Sequence, residues 1–242
     1  MRTNIFSSSI KNWDNKTWLS SPSYIHFFNK FLIYNAKLTQ SSKILDIGCG
    51  RGNILGDLYS KLKLKTKPLG LDVEDHDDKD RRVNFKKIDA INFLKKNNKD
   101  FDLILIKQTI HLLKINDIKK LLYFCKKKLN YNGRIIIFTL DPHQNQIPTF
   151  SLMKKKLTSS LARDKKILKL ISKLCPQKIV RKFIFDVEVS KKKYIKMIKN
   201  KYISVLLKMS SKKIFKGVDE LNLKYGDTIK FKDKLQCIII KK

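Results

Sequence analysis

Lys43-Ile-Leu-Asp-Ile-Gly-Cys-Gly-Arg-Gly52 runs from a short apolar stretch into three glycines at alternate positions. Lys43 to Asp46 has the composition of a buried strand and a helical pattern begins near Asn53, so the glycines occupy a strand-to-helix turn. Glycine at such a turn admits left-handed backbone and close approach of a ligand, while the first amides of the following helix are free to donate. The spacing excludes two familiar loops. A dinucleotide fingerprint that begins at Gly48 requires a glycine where the chain has Asn53, and one that begins at Gly50 requires it at Leu55. No Gly-Lys-Ser/Thr follows, which excludes a nucleoside triphosphate loop.

The flanking pattern is α/β. Upstream, Trp13 to Ala36 is aromatic-rich, and Ser20-Ser21-Pro22 starts a helix that carries Tyr24, Phe27, Phe28, Phe31, Leu32 and Tyr34. Downstream, strands are predicted at Pro68 to Asp72, Val83 to Ile88, Asp102 to Ile106 and Arg134 to Leu140, with a helix over Asn116 to Leu129 closed by Asn132-Gly133. Only ten residues separate Asp72 from Val83, too few for a crossover helix. Strands alternating with helices predict a Rossmann-like, doubly wound sheet, mostly parallel.

Beyond Pro148 the pattern turns helical as far as Tyr225, broken at Cys175-Pro176 and by the β-leaning Phe183 to Val189. Ser190 starts a helix to about Lys208, and Ser211 another to Gly226. Thr228 to Phe231 and Leu235 to Ile240, parted by Lys232-Asp233-Lys234, read as an antiparallel C-terminal hairpin. The expected layout is therefore an N-terminal lid helix over 1–37, a core over 38–147, a helical cap or insertion over 148–226 and a terminal hairpin over 227–242.

The formal net charge is +33, a value that invites nucleic acid or an anionic surface as partner. Of the 54 basic residues, however, seven are arginines and the rest lysines spread over nearly every polar face, alongside abundant Ile and Asn. Readers of phosphates and bases favour the arginine fork, so the excess reads as compositional. Cys49, Cys125, Cys175 and Cys237 are far apart, as are His26, His76, His111 and His143, which predicts reduced thiols and no metal site. The acids Glu74, Asp75, Asp77, Asp78 and Asp80 read as a solvated loop. Met1 to Asn15 has no continuous apolar core and no stretch reaches the roughly 18 apolar residues of a membrane span, so a cytoplasmic, soluble chain is expected.

Asp72 lies at the end of the second strand, where Rossmann-type folds place a carboxylate that accepts from a ribose diol. The turn at Gly48, Cys49, Gly50 and Gly52, with Asp46 before it, resembles motif I of class I S-adenosylmethionine-dependent methyltransferases. Phe101-Asp-Leu-Ile-Leu-Ile-Lys-Gln-Thr-Ile-His-Leu-Leu113 resembles motif IV of their small-molecule, trans-aconitate methyltransferase-like branch. The resemblance extends over about Leu38 to Leu140, and departs from the family in the short Asp72 to Val83 connection. It implies S-adenosyl-L-methionine as cofactor, with its amino acid end on the glycine turn oriented by Asp46, and its adenine amino group at Asp89-Ala90 flanked by Ile91 and Phe93. Asp89 also reads as a plain helix cap. The same resemblance puts Lys107, Gln108 and His111 at the border of donor and acceptor, with Gln108 and His111 the catalytic candidates; His111 reads equally as a packed residue. Tyr24, His26, Phe27, Tyr194 and Tyr202 are candidates to close over the acceptor. The chain lacks the Asn/Asp-Pro-Pro-aromatic run of base amino-methyltransferases, having Lys107-Gln108-Thr109-Ile110, and lacks a cytosine-attacking cysteine there. The leading expectation is methyl transfer to a small molecule, anionic if the overall charge governs. An RNA substrate is the second, and would bring a lysine-rich groove beside Gly48. A non-catalytic cofactor-binding relative is the third, and would have a filled pocket beside Gln108.

Overall fold

A computed structural model describes residues 17–242 of the chain; Met1 to Asn15, Trp13 among them, and the first part of the expected N-terminal lid lie outside the described residues. Seven strands form one sheet in the order β3-β2-β1-β4-β5-β7-β6. These are β1 (Ile44–Ile47), β2 (Leu69–Asp72), β3 (Asn84–Lys87), β4 (Phe101–Lys107), β5 (Leu129–Leu140), β6 (Ile179–Ser190) and β7 (Thr228–Lys241). Helices α1 (Pro22–Ala36), α2 (Asn53–Leu62), α3 (Ala90–Lys96), α4 (Ile115–Lys127), α5 (Ser151–Leu174), α6 (Lys191–Lys199), α7 (Ser204–Leu207) and α8 (Ser211–Lys224) connect them. Every paired strand is parallel to its neighbour except β7, which runs antiparallel to both β5 and β6. The sheet is thus Rossmann-like and mostly parallel, with an antiparallel pair at its C-terminal end, as expected.

Period-two alternation divides the sheet between two cores. Leu103 and Leu105 of β4 and Ile136 and Phe138 of β5 face one cluster, joined by Tyr24, Phe28 and Leu32 of α1. Ile104, Ile106, Ile135 and Ile137 face the other, covered by Leu121 and Leu122 of α4 and Ile167 and Ile171 of α5. Burial on both faces is what the unbroken apolar runs of β4 and β5 encode. Local signals start the helices: the Ser21 side chain accepts from Tyr24 N at 3.3 Å with Pro22 at the first position of α1, and Ser190 caps α6. As the chain spacing requires, no helix links β2 to β3.

Four expectations are corrected. Lys232-Asp233-Lys234 form no turn: β7 is one continuous strand, and its antiparallel partner on the outer side is β6, pairing Ile179 with Ile239 through to Ser190 with Thr228. The β-leaning stretch is therefore an edge strand of the main sheet, and the expected cap is built into the layers, α5 alone supplying Met153 to one core and Ile167 to the other. Asn132-Gly133 do not close α4, which ends at Lys127; they lie in a bulge of β5 where the register jumps between Phe101 and Leu103, with Asn132 at φ 66°. The helix begun at Ser190 stops at Lys199, because Lys201 turns left-handed at φ 54° and sends Tyr202 and Ile203 towards the strand ends.

Phe138 is fully buried and packs against Phe28 at 4.7 Å and Phe31 at 5.8 Å between ring centroids. Phe138→Ala is expected to lower unfolding free energy by about 3–5 kcal/mol in urea titration, as a large core ring lost without collapse of its site does.

Candidate functional site

The turn after β1 is held from the side by β2. The amides of Gly48 and Cys49 both donate to the Leu71 carbonyl, at 2.8 and 3.1 Å, and Gly50 N donates to Asp72 Oδ2 at 2.9 Å. Asp72 Oδ1 accepts from Glu74 N at 3.0 Å, so the carboxylate is locked between the two strand ends. Gly48, Gly50 and Gly52 all have positive φ, at 76°, 54° and 78°. At Gly48 a Cβ would also lie 2.1 Å from Thr109 Oγ1, so the loop after β4 occupies the space a side chain would need. Gly52 turns the chain into α2, whose N-terminal amides have no side-chain cap.

Above these strand ends opens a cavity of about 290 Å³, at the lower edge of the range for small-molecule clefts. One half follows β1, β2 and β3: Gly48 to Arg51, Asp72 to Glu74, and Ile88 to Ile91. The other follows β4, β5 and β7, with Gln108, Leu140, Ile147 and Asp233, and is closed by Trp18 and Leu19 before α1 and by Tyr202 and Ile203. Open α/β sheets bind ligands at this position, beyond the carboxyl ends of strands where the winding reverses. Here β1 and β4 flank the reversal.

Neither a protein-family model nor a curated protein matches the sequence. Solved structures do resemble the fold. A protein assigned as a methyltransferase of an antibiotic biosynthesis pathway in Anabaena variabilis superposes with a TM-score of 0.63 at 14% identity, over 88% of this chain and 96% of that one. The plantazolicin methyltransferase BpumL, solved with a monoazolic desmethylPZN analogue and SAH, gives 0.55 at 17% identity, over 97% and 89%. A SAM-dependent methyltransferase from Archaeoglobus fulgidus gives 0.50 at 20% identity, over 90% and 94%. The chain has the class I methyltransferase fold.

Within this methyltransferase fold the cavity brings together Asp46, Gly48, Cys49, Gly50, Asp72, Asp89, Ala90, Lys107 and Gln108. Gln108 holds a left-handed backbone at φ 51°, uncommon for a side chain of its size, with its amide on the Phe138 carbonyl at 2.9 Å. Asp89 Oδ1 caps α3 by accepting from Asn92 N at 2.9 Å. Three expected residues sit elsewhere. Gly52 shapes the entry to α2 and does not line the cavity. His111 lies in a short turn next to Arg163 of α5, outside the lining; burial and the guanidinium push its pKa down to about 4, so it is a neutral, weak base. Phe93 turns into the core under Lys86, and Val73, Ile91, Leu112 and Leu113 supply the apolar lining instead. Of the acceptor candidates only Tyr202 lines the cavity: Tyr24 is core, Tyr194 donates to the Pro148 carbonyl at 2.6 Å, His26 meets Lys61 and Phe27 packs on Phe183.

Sequence reading missed Trp18, Arg51, His76 and Asp233. The acidic loop is more than a solvated run: Asp78 grips buried Arg51 Nε at 2.7 and 2.8 Å, Asp80 N donates to the Arg51 carbonyl, and buried His76 lines the cavity. Asp233 is buried against Trp18 Nε1 at 3.2 Å. Its signal was an acid alone within an apolar C-terminal pattern, hidden by the assumption of a turn. Among the described residues no cluster of ligand side chains could hold a metal ion.

Asp46 is almost fully buried and its Oδ1 has no hydrogen-bond partner. Burial raises its pKa to about 7, opposed by Lys107 and assisted by Asp72. A proton is thus held more tightly folded than at the unfolded value of 3.8, so the contribution of Asp46 to stability falls as pH rises from about 4 through about 7. Asp46→Asn removes that penalty, and its urea midpoint relative to the parent is expected to be higher at pH 7.5 than at pH 5; an unchanged difference would show that Asp46 does not titrate in this window.

Proposed function

We propose that the chain is an S-adenosylmethionine-dependent methyltransferase acting on a small molecule. The observation that carries this reading is the left-handed glycine turn pinned to Asp72 beside a buried carboxylate, Asp46, with an oxygen that lacks a protein partner. Those residues fit the cofactor. The Gly48 to Gly50 backbone and the open N-terminus of α2 suit the amino acid end, Asp46 Oδ1 suits a cationic donor, Asp72 suits a ribose diol, and Asp89 with Ala90 and Ile91 suits adenine. The bound cofactor would supply a methyl carbon already electrophilic beside its sulfonium sulfur.

The protein then has to position the acceptor and exclude water, which supplies much of the rate in such transfers. Trp18, Leu19, Tyr202 and Ile203 close the half of the cavity next to Gln108, and no described side chain fills that half, which favours catalysis over a binding-only role. With His111 outside the lining, a general base from motif IV is not part of the reading. The lining carries Asp46, Asp72, Glu74, Asp89 and Asp233 against Arg51 and Lys107, an acidic balance that argues against the anionic acceptor inferred from overall charge. Among the described residues no helix is long and apolar enough to cross a membrane.

Calorimetry should show saturable binding of S-adenosylmethionine, weakened about tenfold or more by Asp72→Ala through the lost charged hydrogen bonds. Labelled methyl groups should pass to a metabolite extract and not to RNA. Absence of cofactor binding by the folded parent would sink the reading, and transfer to RNA alone would replace its acceptor class.

A further inference from the structure

We infer that the acceptor is an amine carried on a flat apolar body, and that Asp233 is the carboxylate that binds it; this rests on the methyltransferase reading above. Asp233 belongs to β7, on the side of the cavity away from the glycine turn, among Trp18, Leu140, Ile147, Tyr202 and Ile203. Among the described residues that line this half, Asp233 and Lys107 carry the charge.

Three observations converge on a cationic nitrogen. First, among the described residues the Lys107 ammonium acts on both buried carboxyl groups, Asp46 and Asp233, so one cation is shared between two acids. Lys107 is itself drawn over the Tyr24 and Phe28 rings, at 5.3 and 5.4 Å from their centroids, on the core side. Second, Asp233 sits beside aromatic rings suited to a cation: Trp18 meets Tyr202 at 5.2 Å and Phe231 at 5.1 Å, both edge-on, and Trp18 and Tyr202 line the cavity. The Tyr202 hydroxyl is fixed to Tyr194 at 2.9 Å, which is anchored on Pro148. Third, a carboxylate with relative exposure of 1% on the otherwise apolar inward face of β7 is costly to bury, and the Trp18 indole and the Tyr24 hydroxyl, both neutral donors, offset only part of that cost. A bound ammonium would supply the rest.

The chemistry balances without a further reagent. The bound ammonium gives a proton to the Asp233 carboxylate, whose affinity for protons burial has raised. The amine lone pair then forms the N–C bond to the methyl carbon as the S–C bond breaks and leaves its electron pair on sulfur. The positive charge of the sulfonium passes to the methylated nitrogen.

The test uses phenethylamine as probe, with 2-phenylethanol and phenylacetate as its neutral and anionic counterparts, titrated calorimetrically into the full chain with and without S-adenosylhomocysteine. Phenethylamine is expected to bind at least about tenfold more tightly than either counterpart, the scale of a charged hydrogen bond. Asp233→Asn should abolish that preference while leaving S-adenosylhomocysteine binding within about twofold, and Asp233→Glu should restore part of it. Equal or tighter binding of phenylacetate by the parent, or a preference that survives Asp233→Asn, overturns the inference. Loss of S-adenosylhomocysteine binding by the parent with the amine preference intact would instead overturn the cofactor reading and leave the Asp233 site standing.

Discussion

A single carbonyl, that of Leu71, receives two consecutive amides, Gly48 and Cys49, from the neighbouring strand end, and the next carboxylate, Asp72, takes the amide of Gly50. Three donors of one turn are thereby satisfied by two residues of another, which fixes the turn relative to β2 rather than to its own strand. Two close approaches constrain this arrangement further. Thr109 fills the space beside Gly48, and Cys49 fills the space beside Gly70, where a Cβ would meet its sulfur at 2.6 Å. The end of β4 and the middle of β2 are thus both gauged against the same turn, and the α2 N-terminus follows from it. Left-handed backbone at the three glycines is therefore a condition of the sheet's register at this edge as well as of ligand access.

The half of the fold governed by local signals was legible in the residues. Apolar runs, glycines and short connections placed β1 to β4 within one or two residues, and the gap between Asp72 and Val83 correctly left no room for a helix. The C-terminal half was not, for a physical reason. Both β6 and β7 carry long polar stretches, because β6 is an edge strand exposed on one side, and Asp233 interrupts the apolar alternation of β7. A lysine-flanked acid in a sequence normally marks a turn; here the pairing with β5 and β6 on both sides overrides that local preference. The same holds in the site. Positions tied to the backbone of a turn could be read from spacing, whereas His111 and Phe93 depended on which way a side chain leaves its element, and α5 and the core decided that.

Burying Asp233 draws the two halves of the molecule into one site. Its partner Trp18 precedes α1, its electrostatic partner Lys107 ends β4, and the strand that carries it pairs with β5 and with β6. The Trp18 indole joins Lys107 and Tyr24 in offsetting the desolvation of that carboxylate, so the segment before α1 is tied to β7. The residues that close the cavity are held by the same aromatic cluster that holds the carboxylate.

That arrangement explains why the net charge misleads. The +33 of the whole chain is carried by lysines dispersed over the surface, where ions of physiological solution screen each of them over roughly 8 Å. Against the low-dielectric wall of the cavity, charges act more strongly than at the surface, and the potential is set mainly by the few groups that line it, of which acids outnumber bases among the described residues. Arg51, the second cation of the lining, is already gripped by Asp78 through both of its oxygens, which removes most of its field from the interior. A ligand in this cavity therefore meets a negative wall within a positive protein. A polyanion such as RNA would be attracted at long range and opposed at the point of reaction, whereas a small cation is opposed only weakly by the screened surface and favoured where it has to stay.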